Sequence, residues 1–169
     1  MSDFLYISRD TVRPGHEEAY WNTLIAGRLV QARFFETPVV SIKTIQGILD
    51  TTGLTFYAFD QEAQKICGEF TLCNWLGLAA QIHFSLHPEY FGNPGVELAK
   101  QSCDWAKTIM REGLEYPLVD SFYGITPVTN KLAIRFIQKA GFDIKFVLPN
   151  ALFNAVTEQY VDAAISMRS

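Results

Sequence analysis

Three side chains in the middle of the chain have the chemistry to move a proton. Glu69 lies inside the stretch KICGEFTL, and His83 and His87 lie in or just after LAAQIHFSL. A positioned carboxylate or imidazole acts as a general acid or base, and an imidazole titrates near neutral pH. Each residue also has a structural interpretation: Glu69 as a solvated strand-face carboxylate, His83 as a packed or surface histidine, and His87 as part of a turn with Pro88.

The three cysteines do not indicate a nucleophile or a metal site. Cys67, Cys73 and Cys103 form no C-x-x-C pair, and no histidine lies at zinc-ligand spacing from them. They also lack a base or Asp partner within sequence reach, which an activated thiol requires. We expect reduced thiols that pack as small apolar groups, which suits a reducing cytoplasm.

The elements that position these side chains follow from the spacing of apolar residues. The sequence predicts a strand at residues 4–8 and helices at 16–26 and 29–35, whereas residues 42–48 alternate loosely between apolar and polar types. Runs rich in β-branched and aromatic residues predict strands at 55–59, 65–72 and 78–86. The first two of these strands are expected to form an antiparallel hairpin around a polar turn.

The second half predicts a longer α/β unit. A loop at residues 89–95 precedes a helix that runs to Arg111, with apolar side chains stepping by three and four. An apolar run then ends at Thr126-Pro127, and an amphipathic helix starts near Asn130 and stops at Gly141. Strands follow at 142–148 and 160–167. We therefore expect a mixed-sheet α/β domain with helices on both faces.

The segment NKLAIRFIQKAGF, residues 130–142, carries a family resemblance. Its Asn, Ala, Lys and Gly-Phe are spaced as in the last helix of the GNAT-type acyl-CoA N-acyltransferases, which it resembles. Residues 82–95 (IHFSLHPEYFGNPG) are similar to that family's central strand, Pro-Glu-Tyr turn and phosphate loop. A strand from Phe142, a long loop and Asp162 in the last strand are similar to the branch that acetylates ribosomal-protein N-termini. The resemblance covers residues 55–167.

The resemblance implies a GNAT-like, mostly antiparallel splayed sheet and acetyl-CoA as co-substrate, with acetyl transfer to an amine of a small molecule or a protein. In that fold the central strand holds the pantetheine arm as an extra strand would, which implies roles for Leu86 and His87. Asn130 would touch the same arm. Backbone N–H groups at the following strand-to-helix turn bind the pyrophosphate, which implies a site at Gly92, Gly95 and Val96.

The resemblance also suggests the groups that move protons. Glu69 lies on the strand next to the splayed centre, where some members place the general base. Many members carry a tyrosine as general acid four residues before the glycine of Gly-Phe, and here that position is Ile137. Tyr123 on the preceding strand is the substitute acid, and its structural interpretation is a core or rim aromatic residue.

Three departures from the family pattern motivate an alternative function. Phe91 stands where the phosphate loop carries Arg or Gln, Pro94 removes one N–H donor, and Ile137 has no hydroxyl. The alternative is a catalytically inactive binding or structural protein with the same fold. A phage-encoded protein of the host cytoplasm or the virion is one form of it, because some short-tailed phages carry small proteins with a similar ending. A P-loop or dinucleotide protein has little support, because its glycine motifs are missing.

Composition and charge limit the remaining classes of function. With 169 residues the chain fits one domain, residues 1–169, and 49% apolar content is too rich for disorder. The net charge of -4 and the scattered basic residues give no general attraction to nucleic acid. No signal peptide or transmembrane segment is apparent. We expect a cytoplasmic protein that binds neither membrane nor nucleic acid, with a protein partner or a homodimer left open.

Overall fold

The computed structural model describes residues 4–39, 41–110, 113 and 115–169. Five helices are defined in this part of the chain: α1 (Pro14–Ala26), α2 (Val30–Arg33), α3 (Ile42–Thr52), α4 (Asn93–Ala106) and α5 (Lys131–Lys139). The strands are β1 (Leu5–Ser8), β2 (Leu54–Asp60), β3 (Lys65–Leu76), β4 (Ala79–Leu86), β5 (Ser121–Pro127), β6 (Asp143–Asn154) and β7 (Gln159–Arg168). None of the described helices is long and apolar enough to cross a bilayer.

The strands form one sheet with the order β1-β2-β3-β4-β5-β7-β6. Strands β4 and β5 are parallel, because helix α4 forms the crossover between them. The other neighbouring strands are antiparallel. Pairing of β4 with β5 runs only from Ala79–Ser121 to Gln81–Tyr123. Beyond these pairs the two strands separate, which confirms the predicted mixed, mostly antiparallel splayed sheet.

Helices cover both faces of the sheet, as predicted. On one face, α4 and α5 pack over Phe70, Leu72, Ile82 and Phe122. On the other face, α1, α2 and α3 pack around Tyr57 of the sheet, and the buried side chains of that cluster are Tyr20, Trp21, Leu24, Val30, Phe34, Ile45, Leu49, Phe59 and Ile66. The three cysteines are free and buried, and burial raises the pKa of Cys67 and of Cys103 to about 12. They pack as small apolar groups, as expected.

Residues 42–48, where the sequence alternates only loosely, belong to helix α3. Ser41 caps this helix, because its hydroxyl accepts a hydrogen bond from the backbone N–H of Thr44 at 3.3 Å. Ile45 and Leu49 lie four residues apart and are both buried. That spacing places them on one side of a helix, and burial against the sheet decides the local structure.

Helix α4 ends earlier than predicted. It stops at Ala106, whereas the predicted end, Arg111, lies outside the described residues. The backbone N–H of Thr108 donates to Trp105 and that of Ile109 donates to Ala106. These are the tighter i to i+3 bonds that close a helix. The side-chain hydroxyl of Thr108 adds a second bond to the Trp105 carbonyl, at 2.7 Å.

The prediction of a long loop after residue 148 is wrong. Strand β6 continues to Asn154 and pairs with β7 through a register shift between Leu148 and Leu152. Asn150, in this bulge, has a positive φ of 51°, and its backbone N–H donates to the Asp162 carboxylate at 3.0 Å. Because the bulge takes up the extra residues, the last two strands form one long hairpin. The remaining predicted elements are confirmed, with ends shifted by a few residues.

Candidate functional site

A cleft of about 490 Å³ opens where β4 and β5 separate. Strand β4 lines it with Ile82, His83 and Phe84, and strand β5 with residues 124–127. Helix α5 borders the cleft on one face of the sheet. On the other face it is bordered by residues 32–37 and by the hairpin of β6 and β7. The cleft is therefore lined from both faces of the sheet.

Strand β4 has a free backbone edge along this cleft. Hydrogen-bonded and non-bonded residue pairs alternate along two antiparallel strands. The N–H of His87 donates to the Cys67 carbonyl at 2.9 Å, so Cys67–His87 is a bonded pair and Gly68–Leu86 is not. The N–H and C=O groups of Phe84 and Leu86 consequently point away from β3, toward the gap. Pairing with β5 has already ended at Gln81, so a ligand can bind these groups.

The first turn of helix α4 packs directly on the end of β4. A Cβ added at Gly95 would lie 2.5 Å from the Leu86 side chain and 2.5 Å from the Tyr90 carbonyl oxygen. Only glycine permits this approach. Gly92, which caps the helix, has a φ of 87° and open space around it. The predicted phosphate-binding residues thus lie at a helix N-terminus next to the free edge of β4.

This helix N-terminus offers few backbone donors. Pro94, in the first turn, has no N–H, and the N–H of Val96 already donates to the Gly92 carbonyl at 3.1 Å. Asn93 and Gly95 keep N–H groups without a hydrogen-bond partner inside the helix. The anion site predicted at Gly92, Gly95 and Val96 therefore has fewer free N–H donors than a turn in which every residue donates.

Helix α5 brings Asn130 to the cleft. Asn130 caps the helix, because its side-chain oxygen accepts a hydrogen bond from the N–H of Ala133 at 3.1 Å. The side chain also lines the cleft, together with Phe136 and Ile137, which lie about two turns further along the helix. Phe136 packs edge-on against Phe84, with ring centroids 6.1 Å apart. This end of the cleft is therefore apolar apart from the Asn130 amide.

The side chain of His87 lies away from the cleft. It lines a second, smaller pocket of about 200 Å³ with His16, Tyr20 and Lys65. Its Nδ1 accepts a hydrogen bond from the backbone N–H of Glu89, and partial burial and the nearby Lys65 lower its pKa. Its backbone N–H donates to the Cys67 carbonyl and its own carbonyl accepts a hydrogen bond from the N–H of Tyr90, each at 2.9 Å. Neither the ring nor these backbone groups face the cleft, and the cofactor contact expected of His87 stays a prediction.

Glu69 is enclosed rather than solvated. Its side chain has no exposed surface, and both carboxylate oxygens accept hydrogen bonds from the Arg33 guanidinium at 3.3 Å. The hydroxyl of Thr71 also donates to this carboxylate. Arg33 lines the cleft and lies between the carboxylate and the cleft. This position does not favour direct contact between Glu69 and an acceptor amine. The catalytic role of Glu69 stays a prediction.

His83 is the imidazole that lines the cleft. Burial, and then the positive charge of Arg33, lower its pKa to about 3. Both effects disfavour the protonated ring. His83 is therefore neutral throughout the neutral pH range and accepts a proton only weakly.

Tyr123 lies where β4 and β5 are still paired, opposite Gln81. Its hydroxyl donates to the backbone carbonyl of Asn74, and partial burial raises its pKa. This hydroxyl stands at the closed end of the gap, so the acid role predicted for Tyr123 would need a change of partner. That role also stays a prediction.

Several residues of the cleft were not predicted from the sequence. Arg33 is brought over the sheet by helix α2, and Asn74 and Gln81 join their side-chain amides at 2.6 Å. Phe136 closes the apolar end. One signal was available for Phe136, since it lies six residues after the capping Asn130 on an amphipathic helix. The partners of Arg33 and Asn74 depend on contacts distant in sequence, and no motif marks them.

Comparisons with known proteins give matches in structure. No protein-family model matches the sequence, and no curated protein matches it. A crystal structure of spermidine N-acetyltransferase from Vibrio cholerae in complex with CoA and spermine is similar, with a TM-score of 0.73, 18% identity and coverage of 99% of this chain and 96% of that one.

Two further structures show the same likeness. A GNAT-family acetyltransferase from Bacillus anthracis has a TM-score of 0.74 at 13% identity, with 99% of this chain and 96% of that one covered. A ribosomal-protein-S5-alanine acetyltransferase from Vibrio fischeri has a TM-score of 0.64 at 15% identity, with 96% and 92% covered. The likeness extends over nearly the whole length of each chain, and at these identities it concerns the fold. The chain has the fold of the GNAT-type N-acyltransferases.

Proposed function

We propose that the protein is an acetyl-CoA-dependent N-acetyltransferase that acts on a primary amine. One observation carries the proposal: β4 and β5 separate after three residue pairs and leave a free strand edge beside a 490 Å³ cleft. A similar solved structure, the spermidine N-acetyltransferase, is in complex with CoA. Because fold alone does not decide activity, the argument rests on the cleft residues.

The residues at the gap fit the pantetheine arm of CoA. Its two amides would pair with the free N–H and C=O groups of Phe84 and Leu86, as an added strand does. The side-chain nitrogen of Asn130 would donate a further hydrogen bond, since only the side-chain oxygen is used by the helix cap. Phe136 and Ile137 would keep water from this end of the cleft.

The pyrophosphate would lie at the N-terminus of α4. The N–H groups of Asn93 and Gly95 and the positive end of the helix dipole favour an anion there. Lys131 and Arg135 are exposed on α5 and are proposed to add positive charge from a neighbouring helix. Because Pro94 contributes no donor, we expect the phosphates to add less to affinity than in a site where every residue donates.

Bound acetyl-CoA would supply an activated acetyl group. In the transfer, the C–N bond to the amine forms and the C–S bond breaks, and the proton lost by nitrogen balances the proton gained by the thiolate. Glu69 is enclosed by Arg33, and His83 beside Arg33 stays neutral. We therefore propose that the ammonium loses its proton to solvent before it enters the cleft. The rate at subsaturating amine should then rise with pH up to the pKa of the amine.

Calorimetric titration with acetyl-CoA, followed by an assay of CoA release with primary amines, tests this proposal. We expect binding well below millimolar concentration and amine-dependent release of thiol. S-acetylpantetheine, which lacks the pyrophosphate, should bind in the same cleft with lower affinity. Absence of acetyl-CoA binding at millimolar concentration would overturn the proposal.

The alternative function is a binding or structural protein that kept the fold and lost the transfer. Ile137, buried at the cleft where a hydroxyl is often found, and Pro94 at the helix start favour it. Acetyl-CoA binding without turnover of any amine would support this second function over the first.

A further inference from the structure

We infer that the acceptor is a primary amine attached to an aliphatic or aromatic body and carries no second positive charge. This rests on the proposed function and specifies the acceptor side of the same cleft. The inference comes from the two walls of the cleft on the face that α1, α2 and α3 cover.

One wall is formed by β5, β7 and β6. Ile125 pairs with Ile165, and Ala163 pairs with Leu148. Directly paired residues share a face of the sheet, and Tyr123, two residues before Ile125, pairs with Gln81 on the face of Glu69. We call the cleft-lining side chains of this wall the apolar wall: Ile125, Leu148, Leu152, Ala163 and Ile165.

The apolar wall reaches the surface. Leu148 is 43% exposed, although its cross-strand partner Ala163 is fully buried. The described residues of this wall that line the cleft include no ionisable side chain. A ligand with an aliphatic or aromatic body would therefore remove exposed apolar surface from water on binding.

The opposite wall is polar but provides little negative charge. Arg33, Glu36, Cys73 and His83 are the ionisable side chains among the described residues that line the cleft. Burial raises the pKa of the Cys73 thiol, which favours its uncharged form. Arg33 is compensated by Glu69, and His83 is neutral. Among the described lining residues, Glu36, which is exposed, is thus the one carboxylate available to an ammonium group.

This distribution of charge discriminates between two kinds of amine. A second ammonium group of a polyamine would lie against apolar side chains or near Arg33, and a buried cation without a partner is unfavourable. Differences of this kind change the specificity constant by about ten- to a hundredfold. We therefore expect a monoamine with an apolar body to be preferred over spermidine.

The experiment compares 2-phenylethylamine, 3-methylbutylamine and spermidine as acceptors, with acetyl-CoA binding measured separately by calorimetry. We expect kcat/KM for the two monoamines to exceed that for spermidine by about tenfold or more. The variant Leu148→Asp places a carboxylate in the apolar wall. It should lower kcat/KM for 2-phenylethylamine by about tenfold and raise it for spermidine.

Val147→Asp is the matched control. Val147 is the residue before Leu148 on β6, is 50% exposed and points to the other face of the sheet. It should leave both specificity constants unchanged. Thermal unfolding of the two variants checks that both fold.

The outcomes separate this inference from the function on which it rests. If acetyl-CoA binds and spermidine is the better acceptor of the wild-type protein, the inference is overturned and the proposed function stands. Equal effects of L148D and V147D would also overturn it. If acetyl-CoA does not bind, both fail together.

Discussion

Arg33 and Glu69 join helix α2 to the centre of the sheet. Their side chains are 7% and 0% exposed, and two hydrogen bonds of 3.3 Å connect them. Burying such a pair is expensive, and removing one partner leaves an uncompensated charge in the interior. The pair therefore holds residues 33–37 at the mouth of the cleft. We expect a substitution of either partner alone to destabilise the folded protein.

We expect Glu69→Gln to lower the free energy of unfolding by about 3 kcal/mol, because Arg33 then stays buried without a counter-charge. Urea denaturation followed by circular dichroism measures this. The double variant Arg33→Leu, Glu69→Leu should recover most of the loss, since apolar replacements of both partners carry no buried charge. A Glu69→Gln protein with unchanged stability and no transferase activity would show instead that Glu69 acts in catalysis.

His83 should make stability fall in mild acid. Its pKa is about 3 in the folded protein and about 6.5 when unfolded. A depressed histidine pKa means that the unfolded chain binds the proton more readily. The stability is therefore complete above pH 6.5 and is lost as pH falls toward 3, at about 1.4 kcal/mol per pH unit.

Urea denaturation at pH 6.5 and at pH 5 checks this for the wild-type protein and for His83→Gln. The variant lacks the titrating ring and should lose about 2 kcal/mol less between the two pH values. Carboxylates contribute equally to both proteins, so the difference isolates His83. If both proteins lost the same free energy of unfolding between pH 6.5 and pH 5, the prediction would be contradicted.

Helix α5 contributes both to the stability of the fold and to the lining of the cleft. Its start at Asn130 and its stop before Gly141 follow from an Asn cap and a glycine at φ 91°. Both signals are local, which is why this helix could be predicted. The same cap places the Asn130 side chain in the cleft.

Two variants of Asn130 separate its two roles. Asn130→Ser keeps a capping oxygen and removes the amide nitrogen, so stability should change by only a few tenths of a kcal/mol while acetyl-CoA affinity falls severalfold. Asn130→Ala should lose about 1 kcal/mol of stability as well. Chemical denaturation and calorimetry measure the two effects. Unchanged affinity in Asn130→Ser would exclude a contact between this amide and the cofactor.

The separation of β4 from β5 within the seven-stranded sheet creates the cleft. It needs two strands whose paired residues lie 42 positions apart in the chain, a parallel pairing that ends at Gln81–Tyr123, and helices on both faces. The open edge belongs to β4, which lies between β3 and β5 in the middle of the sheet. Backbone groups at such a position are normally paired.

We expect acetyl-CoA to slow hydrogen exchange at the N–H groups of Phe84 and Leu86, because the bound pantetheine amides would pair with them. The N–H groups of His83 and Ser85 are the internal control, since they already bond to β3 by the alternation of the ladder. Residue-resolved NMR exchange with and without acetyl-CoA measures this. If acetyl-CoA slowed exchange at all four N–H groups by the same factor, or at none of them, the proposed mode of binding would be contradicted.

Much of the fold could be predicted from local patterns. Strands β2, β3 and β4 carry β-branched and aromatic runs, and α1, α4 and α5 show apolar side chains at helical spacing. Helix α3 and the bulged end of β6 were missed. Burial of Ile45 and Leu49 against the sheet and pairing of β6 with β7 decided these two elements, and both contacts are distant in sequence.

Local sequence patterns predicted most of the elements in their order, the helix start at Asn130, the glycines near α4 and hence the fold family that the chain resembles, because these depend on local backbone preferences. The character of the site depends on tertiary packing. It enclosed Glu69 beneath Arg33, brought neutral His83 and Asn130 into one cleft and placed the apolar wall opposite them. Burial and electrostatic partners are properties of packing, and residues far apart in the chain supply them.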